Sequence, residues 1–208
     1  MKPSVSIRGN IYTFDSPKVM GIINATPDSF FSKSRVSDSS SLIDRIKEMT
    51  NAGVDILDIG GFSSRPGAPM ISAEEEYDRL APVLEITNRQ APDTPISIDT
   101  FRATVAKKCI DNFRVDIIND ISGGTLDAEI IDVVAESKKV YILMHSKGTP
   151  ETMQTLTSYN DLVTDIISDL SFKIAAMRNA GIADIIVDPV FGCAKTTSHI
   201  FRLLKDLS

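Results

Sequence analysis

Short apolar runs alternate along the chain with longer segments of mixed polarity. Branched apolar residues dominate the runs, which is typical of buried strands. The runs lie at residues 19–23, 56–59, 96–98, 117–118, 140–144 and 185–187. Ahead of them, residues 5–7 and 11–14 flank Gly9-Asn10, which predicts a small hairpin with a turn at that dipeptide.

The segments between the runs carry helix signals. Ser72 precedes Glu74, Glu75 and Glu76, which predicts an N-cap followed by an acidic first turn. Gly53 and Gly181 each follow an Asn-Ala pair and predict helix ends just before the next strand. One apolar stripe at i, i+4 spacing predicts a helix, and it comprises Leu162, Val163, Ile166, Ile167, Leu170, Ile174 and Met177.

Apolar strands that alternate with helices predict an α/β fold in which helices cover a parallel sheet. The sheet could be open and doubly wound, or it could be a TIM (β/α)8-type barrel. Every predicted strand ends in polar, Gly- or Pro-marked sequence, which favours a barrel whose site collects residues around its mouth. The sequence shows six strand–helix units, whereas a barrel has about eight. We therefore expect one domain over residues 1–208, either a fragment of a barrel or a fold with an open side.

Charge and composition narrow the classes of function. The 22 basic and 28 acidic residues give a net charge of −6, which argues against a broad nucleic-acid or anionic-membrane surface. Cys109 and Cys193 are the only cysteines, and two thiols cannot form a metal cage alone. No apolar run reaches membrane-spanning length, and the first ten residues lack the apolar core of a signal peptide. The sequence thus predicts a cytoplasmic protein.

Three polar residues follow the ends of different predicted strands and form the main candidate site. They are Asp99, Asn119 and Asp188, and a barrel would direct all three to one central pocket. Two carboxylates and an amide could bind a flat heterocycle whose edge offers an N–H beside an amino group. Each residue alone is as well explained by capping a loop or helix, but the three together favour binding.

The first predicted strand ends in a second candidate site. Asn24, Thr26, Asp28 and Ser29 could meet a phosphate or a hydrated Mg²⁺ ion, which prefers oxygen ligands. The alternative is a local turn around Pro27, a common use of such residues.

The segment after the second strand could bind a phosphate or a carboxylate. Its two glycines, hydroxyl groups and the guanidinium of Arg65 suit an anion, whereas a purely structural turn would leave Arg65 unexplained. Lys195 either approaches an anion or is solvated. His145 is predicted to orient a loop, and His199 to be a packing or surface residue.

Six motifs in order resemble one family, the dihydropteroate synthases. The motifs are "MGIINATPDSFF", "DILDIGGFSSRPGA", "SIDTFRATVA", "IINDISGG", "LMHSKGTPETMQ" and "VDPVFGCAKT". The resemblance implies a TIM barrel that joins 6-hydroxymethyl-7,8-dihydropterin diphosphate to p-aminobenzoate in folate biosynthesis. The family commonly forms dimers through its late helices, so a homodimer is a state that the resemblance allows.

The resemblance also implies roles for single residues. Asp99, Asn119 and Asp188 would hold the aminopyrimidinone edge of the pterin and form the catalytic set. Asn24 would help to bind Mg²⁺ and diphosphate. The remaining substrate-binding candidates are Ser64, Arg65 and Pro66 near p-aminobenzoate, Phe191 in the pterin pocket, and Lys195.

The sequence departs from the family pattern at several positions. Phe62 stands where many relatives have Glu, and Val190 and Cys193 replace the usual Gly and aromatic residue. The family's Ser-Arg-Lys-Ser and Arg-x-His strands are absent from these 208 residues. We therefore expect little synthase activity from this chain alone. The alternatives are a truncated, non-catalytic pterin-binding homologue and a methyltetrahydrofolate-dependent methyltransferase, which would have no use for Ser64-Arg65-Pro66.

Overall fold

A hairpin is followed by six strands that alternate with helices. The computed structural model describes residues 2–26, 35–63, 69–148 and 152–206. The strands are β1 (Ser4–Ile7), β2 (Asn10–Thr13), β3 (Met20–Asn24), β4 (Ile56–Gly60), β5 (Ile96–Asp99), β6 (Ile117–Asp120), β7 (Val140–Met144) and β8 (Ile185–Asp188). The helices are α1 (Arg35–Asn51), α2 (Ala73–Gln90), α3 (Ala103–Asn112), α4 (Glu129–Ser137), α5 (Leu162–Asn179) and α6 (Thr197–Lys205), with a short 3-10 helix at Met153–Thr155.

The six later strands form one parallel sheet in the order β3-β4-β5-β6-β7-β8. Each strand after β3 therefore pairs with the strand that precedes it in the chain, without the reversal of order that defines a doubly wound sheet. This order confirms the TIM-barrel prediction for the part of the barrel that the chain contains. The edge strands leave apolar side chains in solvent, since Ile22 is 63% and Val187 is 42% exposed.

Side chains alternate between the two faces of this sheet. Leu57 and Ile59 point outward into the core between the sheet and its helices. Ile56, on the same strand, points inward and packs with Ile117 and Ile142 in a second cluster. The inward positions carry apolar residues near the amino ends of the strands and polar residues near their carboxyl ends.

The hairpin of β1 and β2 covers the amino ends of the strands. Val5 and Ile7 belong to the inner cluster, and Tyr12 and Phe14 pack against it. The turn between the strands is Arg8-Gly9, with φ of 53° and 76°, as in a type I′ turn. The predicted turn at Gly9-Asn10 was thus wrong by one residue, because Asn10 pairs with Ile7 as the first residue of β2.

The predicted helix boundaries are confirmed. The Ser72 hydroxyl accepts a hydrogen bond from the Glu75 amide at 3.1 Å and caps α2. Gly53 and Gly181 follow the ends of α1 and α5 with φ of 84° and 103°. Along α5, however, Ile167 is 59% exposed although it belongs to the apolar stripe.

Within the described ranges, none of the helices is both long and apolar enough to span a bilayer.

Arg8 ties the hairpin turn to the sheet. Its guanidinium donates to both carboxylate oxygens of Asp116, at 2.9 and 2.7 Å, and to the carbonyls of Pro92 and Thr94. Asp116 is buried, and its carboxylate also accepts from the Ile96 amide at 3.0 Å. Removing the guanidinium would leave a buried carboxylate with one remaining partner.

We predict that Arg8→Ala lowers the free energy of unfolding by roughly 2–4 kcal/mol, since breaking a buried pair strands the other charge. Urea denaturation measures this value. Arg89→Ala serves as the control, because Arg89 and Glu85 are both largely exposed and such pairs contribute ~0–1 kcal/mol. Equal, small losses in the two variants would contradict the prediction.

Candidate functional site

Two of the three predicted pterin-binding residues lie side by side at the carboxyl rim of the sheet. Asp99 ends β5 and is in register with Asn119 on β6. Both belong to the inward-facing positions, as does Asp188 at the end of β8, which is paired with Met144. Asp188 also holds its own loop, because its Oδ1 accepts from the Val190 amide at 2.7 Å. Asp188 therefore caps its own loop and also occupies an inward-facing position.

A third carboxyl group, which the sequence analysis did not single out, lies one layer below. Asp58 occupies the middle of β4, in register with Ser97 on β5, and is only 6% exposed. Its Oδ2 accepts a hydrogen bond from Nδ2 of Asn119 at 3.1 Å. A charged residue inside the apolar run "ILDIG" was the signal that could have revealed it.

The inner carboxyl groups have perturbed acidities. Burial raises the pKa of Asp99 well above its usual value, and the charges of Asp58, Glu76 and Asp120 raise it further. Burial also raises the pKa of Asp58, against the opposing effect of contacts with Ser97 and Asn119. A ligand that brought N–H donors to this rim would stabilise the ionised carboxylates and relieve part of this cost.

A buried ion pair supports the segment after β4. Arg102 pairs with Glu76, which is fully buried, and donates to the Ile71 carbonyl at 2.7 Å. Its guanidinium also lies 5.6 Å from the Phe62 ring centroid and 4.9 Å from that of Phe101. Phe62, the departure from the family's Glu, thus stacks beside the cation of Arg102.

Gly61 allows this segment to approach α2. A Cβ at Gly61 would lie 2.9 Å from the Glu76 carbonyl oxygen and from Cγ of Leu80. Any side chain there would push the segment away from the helix, which explains the second glycine of the Gly-Gly pair in packing terms.

His145, directly after β7, and Lys195, in the loop between β8 and α6, form a buried polar contact. Lys195 Nζ lies 3.1 Å from His145 Nδ1 and donates to the Cys193 carbonyl at 3.0 Å. Because an ammonium group only donates, Nδ1 is the acceptor and the ring proton lies on Nε2. Burial and the charge of Lys195 lower the pKa of His145 to about 4, and burial lowers the pKa of Lys195 to about 8.

The positions of the other predicted site residues vary. Asn24 is exposed at the end of β3, in register with Gly60. Lys195 is 6% exposed, and its ammonium group contacts His145. This contact does not support the binding of an anion by Lys195, which stays a prediction. Phe191 is partly buried and packs against the outer core, and its role in the pterin pocket also stays a prediction. The predicted residues outside the described ranges are Pro27, Asp28, Ser29, Ser64, Arg65 and Pro66.

Val190 adopts a backbone conformation that suits the family's usual glycine. Its φ is 51°, in the left-handed region that a β-branched residue rarely enters. The strain, of order 1–3 kcal/mol, is opposed by burial of the side chain, which is 9% exposed. The hydrogen bond from the Val190 amide to Asp188 further holds the loop in this conformation.

In the portion of the chain that the structure covers, His, Cys, Asp and Glu side chains gather nowhere in threes that could hold a metal ion.

Comparisons with known proteins agree with this architecture. The family described as "Pterin binding enzyme" matches residues 20–208. This chain belongs to the pterin-binding enzyme family. It is 43% identical over 191 residues to the dihydropteroate synthase of Synechocystis, covering 91% of this chain and 65% of the relative. The Bacillus subtilis dihydropteroate synthase is 41% identical over 191 residues, with coverages of 91% and 64%.

Solved structures of the same family superpose closely. The Yersinia pestis dihydropteroate synthase, in a complex with a sulfonamide drug, has a TM-score of 0.86 at 34% identity, covering 99% of this chain and 74% of that one. The Xanthomonas albilineans enzyme with 4-aminobenzoic acid has a TM-score of 0.84 at 33% identity, with coverages of 100% and 73%. The chain thus spans about two thirds to three quarters of these relatives.

The buried histidine leads to a prediction about acid stability. The unfolded chain binds a proton at His145 below pH 6.5, whereas the folded protein does so only near pH 4. The free energy of unfolding therefore decreases as the pH is lowered from 6.5 towards 4. We predict that His145→Gln removes most of this loss, which is roughly 2 kcal/mol between pH 7 and pH 5. Urea denaturation at pH 7 and pH 5 measures it.

Tyr159→Phe is the matched control for this experiment. The Tyr159 ring lies 6.2 Å from that of His145, so the variant perturbs the same neighbourhood while leaving the imidazole in place. Tyr159→Phe should lose as much free energy of unfolding between pH 7 and pH 5 as the unmodified protein does. Identical losses in all three proteins would contradict the assignment.

Proposed function

We propose that this chain supplies the pterin-binding part of a dihydropteroate synthase. The reaction condenses 6-hydroxymethyl-7,8-dihydropterin diphosphate with p-aminobenzoate and releases dihydropteroate and diphosphate, a step of folate biosynthesis. The observation that carries the proposal is the pairing of Asp99 with Asn119 on the inner rim, above the buried Asp58.

The polar rim suits the aminopyrimidinone edge of a pterin. That edge presents an N–H beside an amino group, and the carboxylates of Asp99 and Asp188 and the carbonyl oxygen of Asn119 are acceptors. The 4-aminobenzoic acid in the Xanthomonas structure supports p-aminobenzoate as the second substrate by similarity.

The chemistry needs no covalent bond to the protein. The C–O bond to the diphosphate breaks, the amine nitrogen of p-aminobenzoate bonds to the pterin methylene, and the amine loses a proton. The electron pair of the broken bond leaves with the diphosphate. Ionised Asp99 and Asp188 would stabilise the electron-poor ring as positive charge develops, and fixed orientation of both substrates would supply much of the rate.

Mg²⁺ is part of the proposal, and Asn24 is its candidate protein ligand. The exposed amide oxygen of Asn24 at the rim fits an ion that keeps several waters and is otherwise held by substrate phosphates. When bound, Mg²⁺ would neutralise charge on the leaving diphosphate. A cytoplasmic location and a homodimer complete the proposal, on the basis of the sequence features and the family resemblance.

We predict that Asp99→Asn weakens pterin binding by roughly 10- to 100-fold, because hydrogen bonds to a charged acceptor contribute more than neutral ones. Titration calorimetry with pterin measures the dissociation constant. Asp93→Asn is the control, since it makes the same change in charge at an exposed position ahead of the amino end of β5. Absence of pterin binding by the unmodified chain would contradict the proposed function.

Synthase activity of the 208-residue chain is tested separately. We predict little release of diphosphate in the presence of both substrates and Mg²⁺, because the family's Ser-Arg-Lys-Ser and Arg-x-His segments are absent from these residues. A coupled diphosphate assay measures turnover, and an active relative such as the Bacillus subtilis enzyme serves as the positive control. Rapid turnover by this chain would show that it needs neither segment.

A further inference from the structure

Asp58 is a buried carboxyl group whose partners are polar but uncharged. It lies in the interior of β4 and is 6% exposed, and among the described residues no Lys, Arg or His forms an ion pair with it. Its Oδ2 is occupied by Nδ2 of Asn119. A buried charge of this kind is costly, so retaining it requires a reason beyond packing.

A buried acceptor next to Asp58 has no hydrogen-bond partner among the described residues. It is Oδ1 of Asn119. Ser97 is fully buried on β5, in register with Asp58, and its contact with that carboxyl group opposes the rise in the pKa of Asp58. Oδ1 of Asn119 can only accept hydrogen bonds, so it is left without a donor. Such an unsatisfied acceptor indicates a site that a donor-bearing ligand completes.

We propose that Asp58 orients the side-chain amide of Asn119 and thereby selects heterocycles that present hydrogen-bond donors to the rim. The inference rests on the proposed function and deepens it. The carboxylate attracts the amide nitrogen and repels the amide oxygen, so Nδ2 faces Asp58 and Oδ1 is left for the substrate. Asp58 is therefore a positioning residue that acts through Asn119.

Loss of Asp58 would release this constraint. Asn119 could then rotate by half a turn about its terminal bond and present Nδ2 to the ligand, at little cost. The site would lose its preference for donors over acceptors, although Asp99 would still favour donors beside it. The predicted change therefore concerns ligand discrimination more than overall affinity.

Two related ligands test the proposal in solution. Pterin carries an amino group on its pyrimidine ring, and lumazine carries a carbonyl in its place. Titration calorimetry of the unmodified chain should show a preference for pterin. Asp58→Ala should reduce this preference, measured as the dissociation constant of lumazine divided by that of pterin, by about tenfold. Asp58→Asn, which keeps an acceptor oxygen at this position, should retain more of the preference than Asp58→Ala.

Asp116→Asn controls for loss of a buried carboxylate in general. Asp116 pairs with Arg8 just before β6, at the amino end of the sheet. This variant should lose stability but keep the ratio of dissociation constants. An unchanged ratio in Asp58→Ala, or an equal fall in Asp116→Asn, would overturn the positioning role.

A ligand-free measurement separates this inference from the proposed function. In ¹H–¹⁵N spectra of the free protein, the Nδ2 hydrogen of Asn119 that is bonded to Asp58 should be shifted downfield of its usual position, and Asp58→Ala should return it towards that position. In ¹³C titrations the same variant should lower the pKa of Asp99 by removing one of the three carboxyl charges that face it, those of Asp58, Glu76 and Asp120.

Failure of the two tests would mean different things. If the chain binds no pterin yet the Asn119 and Asp99 signals change as stated, the proposed function fails and the orienting contact stands. If pterin binds but neither signal responds to Asp58→Ala, Asp58 does not position Asn119.

Discussion

Alternation of side chains across parallel strands is the constraint on which this site depends. Every second residue of a strand points to the inner face, so inward and outward side chains alternate along each strand. On β4 and β5 the successive inward residues are Ile56, Asp58 and Gly60, and Ser97 and Asp99. A change in register by one residue would exchange the two faces and bury these carboxylates against the helices.

The two ends of the inner face have different roles in folding and in binding. Near the amino ends of the strands it is apolar, and the hairpin, secured by Arg8 and Asp116, covers it. Towards the carboxyl ends it becomes polar, and the cost of burying Asp58 and Asp99 appears as raised pKa values. Packing at the amino ends of the strands therefore stabilises the fold, whereas the buried carboxyl groups at the carboxyl ends destabilise it. The buried contact of His145 with Lys195 also lies towards the carboxyl ends of the strands, and burial lowers the pKa values of both groups.

The sequence predicted the strands and the rim residues because both follow from local pattern. Apolar runs locate the strands. The polar residue after each run, such as Asp99 or Asn119, can then be placed at the carboxyl end of its strand from the sequence alone. Pairings across strands have no such local signal. The bond from Asn119 to Asp58 joins residues 61 positions apart, and the contact of Lys195 with His145 spans 50 positions. The turn at Arg8-Gly9 was misplaced because Gly9-Asn10 is also a good turn sequence, and pairing of Asn10 with Ile7 decided between them.

The central claim is that Asp99 and Asn119 form one acceptor surface for a flat heterocycle on the inner face. A crystal structure of the chain with bound pterin measures this most directly. We expect ring nitrogens at hydrogen-bond distance, about 2.7–3.2 Å, from the Asp99 carboxylate and from Oδ1 of Asn119, while Nδ2 of Asn119 remains bonded to Asp58. A pterin bound away from the inner face, or one contacted by Nδ2 of Asn119, would contradict it.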